Sequence, residues 1–152
     1  MTTVHARLEE LGLTLPEVAA PVAAYVPAVQ SGKQIITSGQ LPFVNGQLAA
    51  LGKVGTDVTP EEAQAAAGVC VLNALAAVAS LVDLDDVVKI VRLGVFVASS
   101  PEFTGQPAVA NGASELVGQI FGEAGAHARA AVGVAVLPLN ACVEVELVAE
   151  VR

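Results

Sequence analysis

The chain has 152 residues, of which 54% are hydrophobic, with 3% aromatic residues and no Trp. This length predicts a single domain over residues 1–152, with enough chain to bury a core. The formal net charge of −8 and the scattered positions of the seven Lys and Arg residues argue against nucleic acid as a partner, because neutralising phosphates needs clustered cations.

Residues 1–20 predict an N-terminal extension that contains a short helix. Val4, Leu8 and Leu11 recur at helical spacing within residues 3–12, and Gly12 or Pro16 would end the helix. The segment lacks the order of basic and then apolar residues that defines an export signal. Cytoplasmic location is therefore expected.

The two cysteines, Cys70 and Cys142, fit the same location. They lie far apart in the chain and match no metal-binding or redox spacing. Reduced thiols are the expectation for such a pair in the cytoplasm.

The next region predicts two hairpins. Residues 23–39 hold two short apolar segments around the Ser31-Gly32-Lys33 turn. Asn45-Gly46 then favours a tight hairpin, because both residue types tolerate positive φ.

A long apolar helix is predicted to begin at Thr59-Pro60-Glu61-Glu62, a capping box, and to run to about Val82. Its apolar run, residues 65–82, is long enough to raise the question of a membrane span. Acidic residues flank the run on both sides instead of Lys or Arg, so we interpret it as a buried helix and expect no membrane association.

The second half predicts a central strand over 87–99, a helix over 104–122 and two closing strands within 127–151. A turn near Leu139 would pair the closing strands, so that Arg129 lies opposite residue 149 or 150. Glu144 would then lie roughly 20 Å away from it, at about 3.3 Å per residue.

These elements predict an α+β fold, a two-layer sandwich with a mixed sheet and two helices on one face. The last strand alternates Val143 and Val145 with Glu144 and Glu146. The acid-bearing sheet face has no predicted cover, which indicates subunit packing in an oligomer.

No cofactor or metal site is expected. His5 and His127 have no companion at ligand spacing, residues 46–54 depart from a phosphate-binding loop, and Ser38 lacks the turn of a hydrolase nucleophile.

Two segments carry a family resemblance. IITSGQLP (35–42) and ARAAVGVAVLP…VEVEL (128–147) closely resemble the two signature regions of the Rid proteins. These are the reactive intermediate deaminases, also called YjgF-type proteins and, by an older name, the L-PSP endoribonuclease family. The resemblance covers about Tyr25 to Val151. The extended N-terminus and an insertion at 48–55 mark a divergent branch.

The resemblance implies a chorismate-mutase-like fold that assembles as a homotrimer with sites between subunits. It also implies hydrolytic deamination of 2-aminoacrylate-type enamines and imines to 2-keto acids and ammonia, without a cofactor. The expected ligand is therefore a small anionic imine or keto acid.

The resemblance assigns roles to seven residues. Arg129 would pair with the substrate carboxylate, and Glu144 would position the attacking water. At the Ala131 position many members have a cysteine, and the family is thought to use the backbone there. The remaining binding positions are Tyr25, Ser38, Gly39 and Asn111.

The residue types support this chemistry independently. A guanidinium offers two parallel donors to a carboxylate, and the small residues Ala131 and Gly133 on the same strand face would leave room for a ligand. A carboxylate such as Glu144 can supply acid or base help.

Each residue also has a structural interpretation. Arg129 could be a salt-bridge residue, Glu144 a solvated strand carboxylate, Tyr25 a packing residue at an edge, Ser38 a strand-end cap and Asn111 a local polar contact. The alternative functions are a carboxylate-binding protein without turnover and a ribonuclease, against which the net charge argues.

Overall fold

A computed structural model describes residues 2–18 and 24–152. Of the N-terminal extension expected over 1–20, residues 1, 19 and 20 lie outside that range. In the described part the helices are α1 Val4–Glu10, α2 Pro60–Ala79 and α3 Gln106–Phe121, and the strands are β1 Ala28–Ser31, β2 Gln34–Thr37, β3 Phe43–Val44, β4 Gln47–Leu48, β5 Val87–Ala98, β6 Ala128–Val134 and β7 Val143–Val151.

Five strands form one mixed sheet in the order β1-β2-β7-β5-β6. The β5–β6 pair is parallel and the other pairs are antiparallel. Strands β3 and β4 form a separate hairpin, in which Asn45 (φ 51°) and Gly46 (φ 79°) both adopt the left-handed conformation that a two-residue turn requires. The mixed sheet and the Asn-Gly hairpin confirm the sequence predictions.

The predicted hairpin of the last two strands is wrong, because β5 lies between β6 and β7. Arg129 is the partner of Leu93 on β5, and Leu93 is the partner of Leu147 on β7. Arg129 is therefore level with Leu147, not with residue 149 or 150. The linking segment crosses the end of β5, where the Asn140 carbonyl accepts a hydrogen bond from the Gly52 amide at 2.9 Å. The sequence does not distinguish the two arrangements, because an apolar edge strand has the same pattern whether it pairs with β5 or with β7.

Helix α2 begins at the predicted capping box and ends at Ala79, three residues before the expected end. The Thr59 hydroxyl accepts from the Glu62 amide at 3.1 Å, and the Glu62 carboxylate accepts from the Thr59 amide at 3.3 Å. Within the described ranges, α2 is the one helix whose length and composition would suit a membrane span, and 61% of its apolar window is buried in the fold. We therefore interpret it as the core helix.

Both long helices pack on one face of the sheet, as predicted. The largest fully buried side chains include Leu75 of α2 and Ile90, Leu93 and Leu147 of the sheet. Strand β7 alternates between buried and partly exposed residues along its whole length. The opposite face, here called the open face, carries Glu144 and Glu146 together with apolar residues. Val29, Ile36 and Val132 are 47%, 39% and 45% exposed.

Candidate functional site

Arg129 lies on the edge strand β6, and its side chain points toward the helices. Its strand partner Leu93 is buried beneath them. The Arg129 Nη1 donates to Asn111 Oδ1 at 2.8 Å and to Ser114 Oγ at 3.1 Å, and both acceptors belong to α3. In the described part of the chain both of its hydrogen bonds use Nη1, and Arg129 is an exposed residue, so Nε and Nη2 remain available there as donors.

The sequence fixes this arrangement through the helical period. Asn111 and Ser114 are three residues apart, so they share one face of α3. Gly112, next to Asn111, allows α3 to approach α2 closely, because a Cβ there would meet the Gln64 carbonyl oxygen. A side chain at position 112 would keep the two helices apart.

Two residues in this group, Ser114 and His127, were missed by the sequence analysis. Ser114 Oγ lies 2.9 Å from His127 Nε2, and His127 Nδ1 lies 2.6 Å from the Gly125 carbonyl oxygen. Strand alternation could have found His127, since it lies two residues before Arg129. The i, i+3 spacing from Asn111 could have found Ser114.

Glu144 lies on β7 and points to the open face, where its strand partner is Phe96. Its carboxylate sits directly against Gly39, in the space that a side chain there would fill. The Ser38 hydroxyl donates to the Val26 carbonyl at 2.6 Å, and the Ser38 amide donates to the Pro27 carbonyl at 2.8 Å. These bonds hold the segment that follows Tyr25, whose side chain is 50% exposed.

Partial burial raises the pKa of the Glu144 carboxyl, and the neighbouring charge of Glu146 raises it further. Glu144 is thus easier to protonate than an exposed glutamate, which suits a group that exchanges protons.

The two cysteine thiols are not candidate nucleophiles. Burial raises the pKa of Cys142 to about 11 and that of Cys70 well above its ordinary value. Both cysteines are free and buried, so neither supplies a thiolate nucleophile.

The structure thus divides the predicted residues into two groups. The Arg129 group contains Arg129 and Asn111 and lies on the helix side of the sheet. The Glu144 group contains Tyr25, Ser38, Gly39 and Glu144, and its carboxylate lies on the open face. Arg129 and Glu144 are two strands apart and three residues apart along β5, so their Cα atoms are separated by roughly 14 Å. One chain therefore does not bring them together.

The remaining predicted position, Ala131, lies on the same side of β6 as Arg129, with Val95 as its partner. At Gly133 the absence of a side chain matters, because a Cβ there would lie 2.7 Å from Gln106 Nε2. A pocket of about 330 Å³ opens beside Gly133, lined by Ser99 and Gln106 among others.

His5 has acidic companions that its sequence position did not reveal. Its Nε2 lies 3.4 Å from Asp83 Oδ1, and Asp85 is close enough for all three to share an ion. The two carboxylates already accept backbone hydrogen bonds, from the amides of Asp85 and Val4 at 2.9 Å and 2.7 Å. The group is a surface cluster whose two carboxylates cap two short helices.

The comparison with known families decides the identity of the fold. A model of the family described as "YjgF/chorismate mutase-like, putative endoribonuclease" matches residues 5–151. The chain belongs to this family. The family predicted from the two sequence signatures is confirmed.

Individual relatives agree with this assignment. Protein TCP17 of Trypanosoma cruzi is 49% identical over 151 residues, which are 98% of this chain and 94% of that protein. The crystal structure of Atu1372 from Agrobacterium tumefaciens, a protein of unknown function, has a TM-score of 0.91 at 47% identity and covers 99% of this chain and 94% of its own. The structure of E. coli TdcF with bound serine has a TM-score of 0.58 at 26% identity, with 91% and 95% coverage.

Proposed function

We propose that this YjgF-like protein hydrolyses small carboxylate-bearing enamines or imines, of the 2-aminoacrylate type, to 2-keto acids and ammonia. The observation that carries the proposal is the exposed guanidinium of Arg129, whose Nη1 is held on α3 by Asn111 and Ser114 while the hydrogen bonds of the described residues leave Nε and Nη2 available. A fixed guanidinium is suited to grip a carboxylate with two parallel hydrogen bonds.

The proposed reaction requires the protein to orient the substrate and to transfer protons. A protonated imine already has an electrophilic carbon. Water adds to that carbon while the Glu144 carboxylate accepts one proton from the water, which gives a carbinolamine. Glu144 then returns the proton to the nitrogen of the carbinolamine, and the C–N bond breaks while the Glu144 carboxylate accepts the proton of the hydroxyl group, which gives the ketone and ammonia. Ammonia takes up that proton and leaves as ammonium, so Glu144 is a carboxylate again. The raised pKa of Glu144 suits both steps. No cofactor takes part in this sequence.

A complete site needs a second copy of the chain. The open face is a partly apolar sheet surface on which Val29, Ile36 and Val132 are exposed, and burying such residues favours association. We infer a homotrimer in which the Glu144 group of one subunit faces the Arg129 group of the next. This arrangement accounts for two well-formed half-sites that do not meet within one chain.

A relative supports the class of ligand. E. coli TdcF has been crystallised with serine, a small molecule with one carboxylate. A ligand of that size suits one guanidinium and one carboxylate better than a polymer does. The free buried cysteines also support a cytoplasmic location.

The second candidate is carboxylate binding without turnover. Ala131 replaces the cysteine of many members, so side-chain chemistry is absent there, while the Arg129 group is intact. Ribonuclease activity is disfavoured by the net charge of −8.

The decisive assay measures ammonia released from 2-iminopropionate that an amino-acid oxidase generates in place. Arg129→Ala should raise KM at least tenfold, since a charge-assisted pair contributes about 1.5–3 kcal/mol. Glu144→Gln should lower kcat about a hundredfold with little change in KM. Arg152→Ala removes another exposed arginine and should leave both constants unchanged.

Three outcomes separate the alternatives. If purified wild type does not accelerate ammonia release, the deaminase proposal fails. If pyruvate still binds in that case, the protein is a carboxylate-binding module. A native mass measurement that finds only monomer would contradict the shared site.

A further inference from the structure

We infer that His127 and Ser114 are positioning residues, which fix the Arg129 guanidinium for the carboxylate. The inference rests on the proposed function for its purpose, but its structural part can be tested alone. Neither residue belongs to the set that the family resemblance assigned.

For a His127 ring that carries one hydrogen, these contacts allow one consistent direction. The Gly125 carbonyl can only accept, so that hydrogen is assigned to Nδ1, which lies 2.6 Å from the carbonyl oxygen. Nε2 is then an acceptor, and the Ser114 hydroxyl donates to it at 2.9 Å. The Ser114 oxygen therefore presents its lone pairs to Arg129 Nη1, at 3.1 Å.

The direction of the Ser114 hydroxyl matters for Arg129. A hydroxyl that is free to rotate spends part of its time with its hydrogen toward the guanidinium, where it repels the N–H. Because the Ser114 hydroxyl donates its hydrogen bond to His127 Nε2, its oxygen can act only as an acceptor toward Arg129. Together with Asn111 Oδ1 at 2.8 Å, it gives Nη1 two acceptors at fixed points on one helix face. Two acceptors restrain the rotation of the guanidinium plane, and one alone does not.

The anchor of the network is itself rigid. Gly125 is buried at the end of a short 3₁₀ segment, and a Cβ there would lie 2.7 Å from the Val117 carbonyl oxygen. The turn that carries the Gly125 carbonyl thus lies against the backbone of α3. His127 extends from this turn into β6, so the network ties the Arg129 strand to α3 at a set distance.

Matched variants test the inference through pyruvate binding by calorimetry and through KM and kcat for the imine. Ser114→Ala and His127→Leu should weaken pyruvate binding and raise KM about five- to tenfold with kcat unchanged, because uniform binding is lost. His127→Gln places an amide oxygen near the Nε2 position and should restore affinity to within about twofold of wild type. Ser80→Ala, which removes a hydroxyl at the end of α2, is the control and should bind as wild type does.

An independent measurement follows the Arg129 side chain itself. Its Nε–Hε heteronuclear NOE should be that of an ordered group in wild type and His127→Gln, and that of a mobile group in His127→Leu and Ser114→Ala. Equal loss of affinity in the Leu and Gln variants would reduce His127 to a packing residue and overturn the inference. So would an ordered Arg129 in His127→Leu. If wild type binds no pyruvate, the proposed function fails, and the NOE comparison still decides the positioning role.

Discussion

The two halves of the candidate site are built by different physical means. The Arg129 group is held by hydrogen bonds that Arg129 Nη1 donates to two residues of one helix, Asn111 and Ser114. The Glu144 group depends on close packing and charge. Its carboxylate fills the space over Gly39, is partly removed from water and lies near Glu146.

The difference matches what the proposed function requires of each half. A group that binds a carboxylate must keep its charge and its orientation, and hydrogen bonds to neutral acceptors achieve both. A group that exchanges protons needs a charged form that is less favourable than usual, and partial burial beside a like charge provides that. The first half is complete within a chain, whereas the second lies on a sheet face that is partly exposed in the described part of the chain.

The largest effect is expected at the helix contact beneath the Arg129 group. A methyl group in Gly112→Ala would meet the Gln64 backbone carbonyl, which cannot rotate away, so α2 and α3 must separate. We expect a loss of about 3 kcal/mol in the free energy of unfolding, which for this size lowers Tm by roughly 6–12 °C.

The same helix provides the control for this experiment. A Cβ at Gly118 meets nothing within 4 Å, so Gly118→Ala should be stabilising by about 0.5–1 kcal/mol through helix propensity alone. Thermal unfolding of both variants measures the contrast. A Gly112→Ala protein as stable as Gly118→Ala would show that α3 does not need this contact.

The sequence predicted the elements that local rules control. Capping at Thr59, the Asn45-Gly46 turn and the alternation of β7 all depend on residues near one another in the chain. The order of strands depends on distant contacts instead. Because β5 lies between β6 and β7, Arg129 pairs with Leu93 of β5 and not with residue 149 or 150. The apolar pattern of an edge strand does not indicate which strand lies beside it.

The sequence predicted the candidate residues and the separation of Arg129 from Glu144 within one chain. It did not predict that these two residues lie on opposite faces of the sheet. The sequence predicted no role for His127, because no metal-ligand companion lies near it in the chain. Its role depends on Ser114, which it meets where α3 packs on the sheet. That contact is visible only once α3 is placed on the sheet.

A smaller effect is expected in the Glu144 group. The Cβ of Gly39→Ala would occupy the position of the Glu144 carboxylate, which lies at the end of a flexible side chain and can move. We expect kcat for the imine to fall about tenfold, since a displaced catalytic group costs rate more than stability, and Tm to change by only a few degrees.

Gly94→Ala is the matched control on the same face, where a Cβ would press on Glu146 and Arg92 at 2.8 and 2.9 Å. It should disturb that ion pair but leave kcat within about twofold of wild type, because partial burial, the larger cause of the raised Glu144 pKa, is unchanged. Equal losses of kcat in the two variants would mean that the open face acts through its general shape and that Glu144 has no special place in it.

The smallest effect is a pH dependence of stability that originates in Glu144. Because the folded protein raises the pKa of this carboxyl above its ordinary value of 4.5, the folded state holds the proton over a range in which the unfolded chain has released it. The contribution of Glu144 to the free energy of unfolding therefore falls as the pH rises from about the ordinary pKa of this carboxyl through the raised pKa.

Glu144→Gln removes this dependence, so wild type should lose slightly more stability than the variant across that range. Urea unfolding at one fixed protein concentration measures the difference, and Glu150→Gln on the same strand should keep the slope of wild type. Parallel curves for wild type and Glu144→Gln would show that Glu144 is solvated like an exposed glutamate, and the electrostatic contrast between the two halves would then disappear.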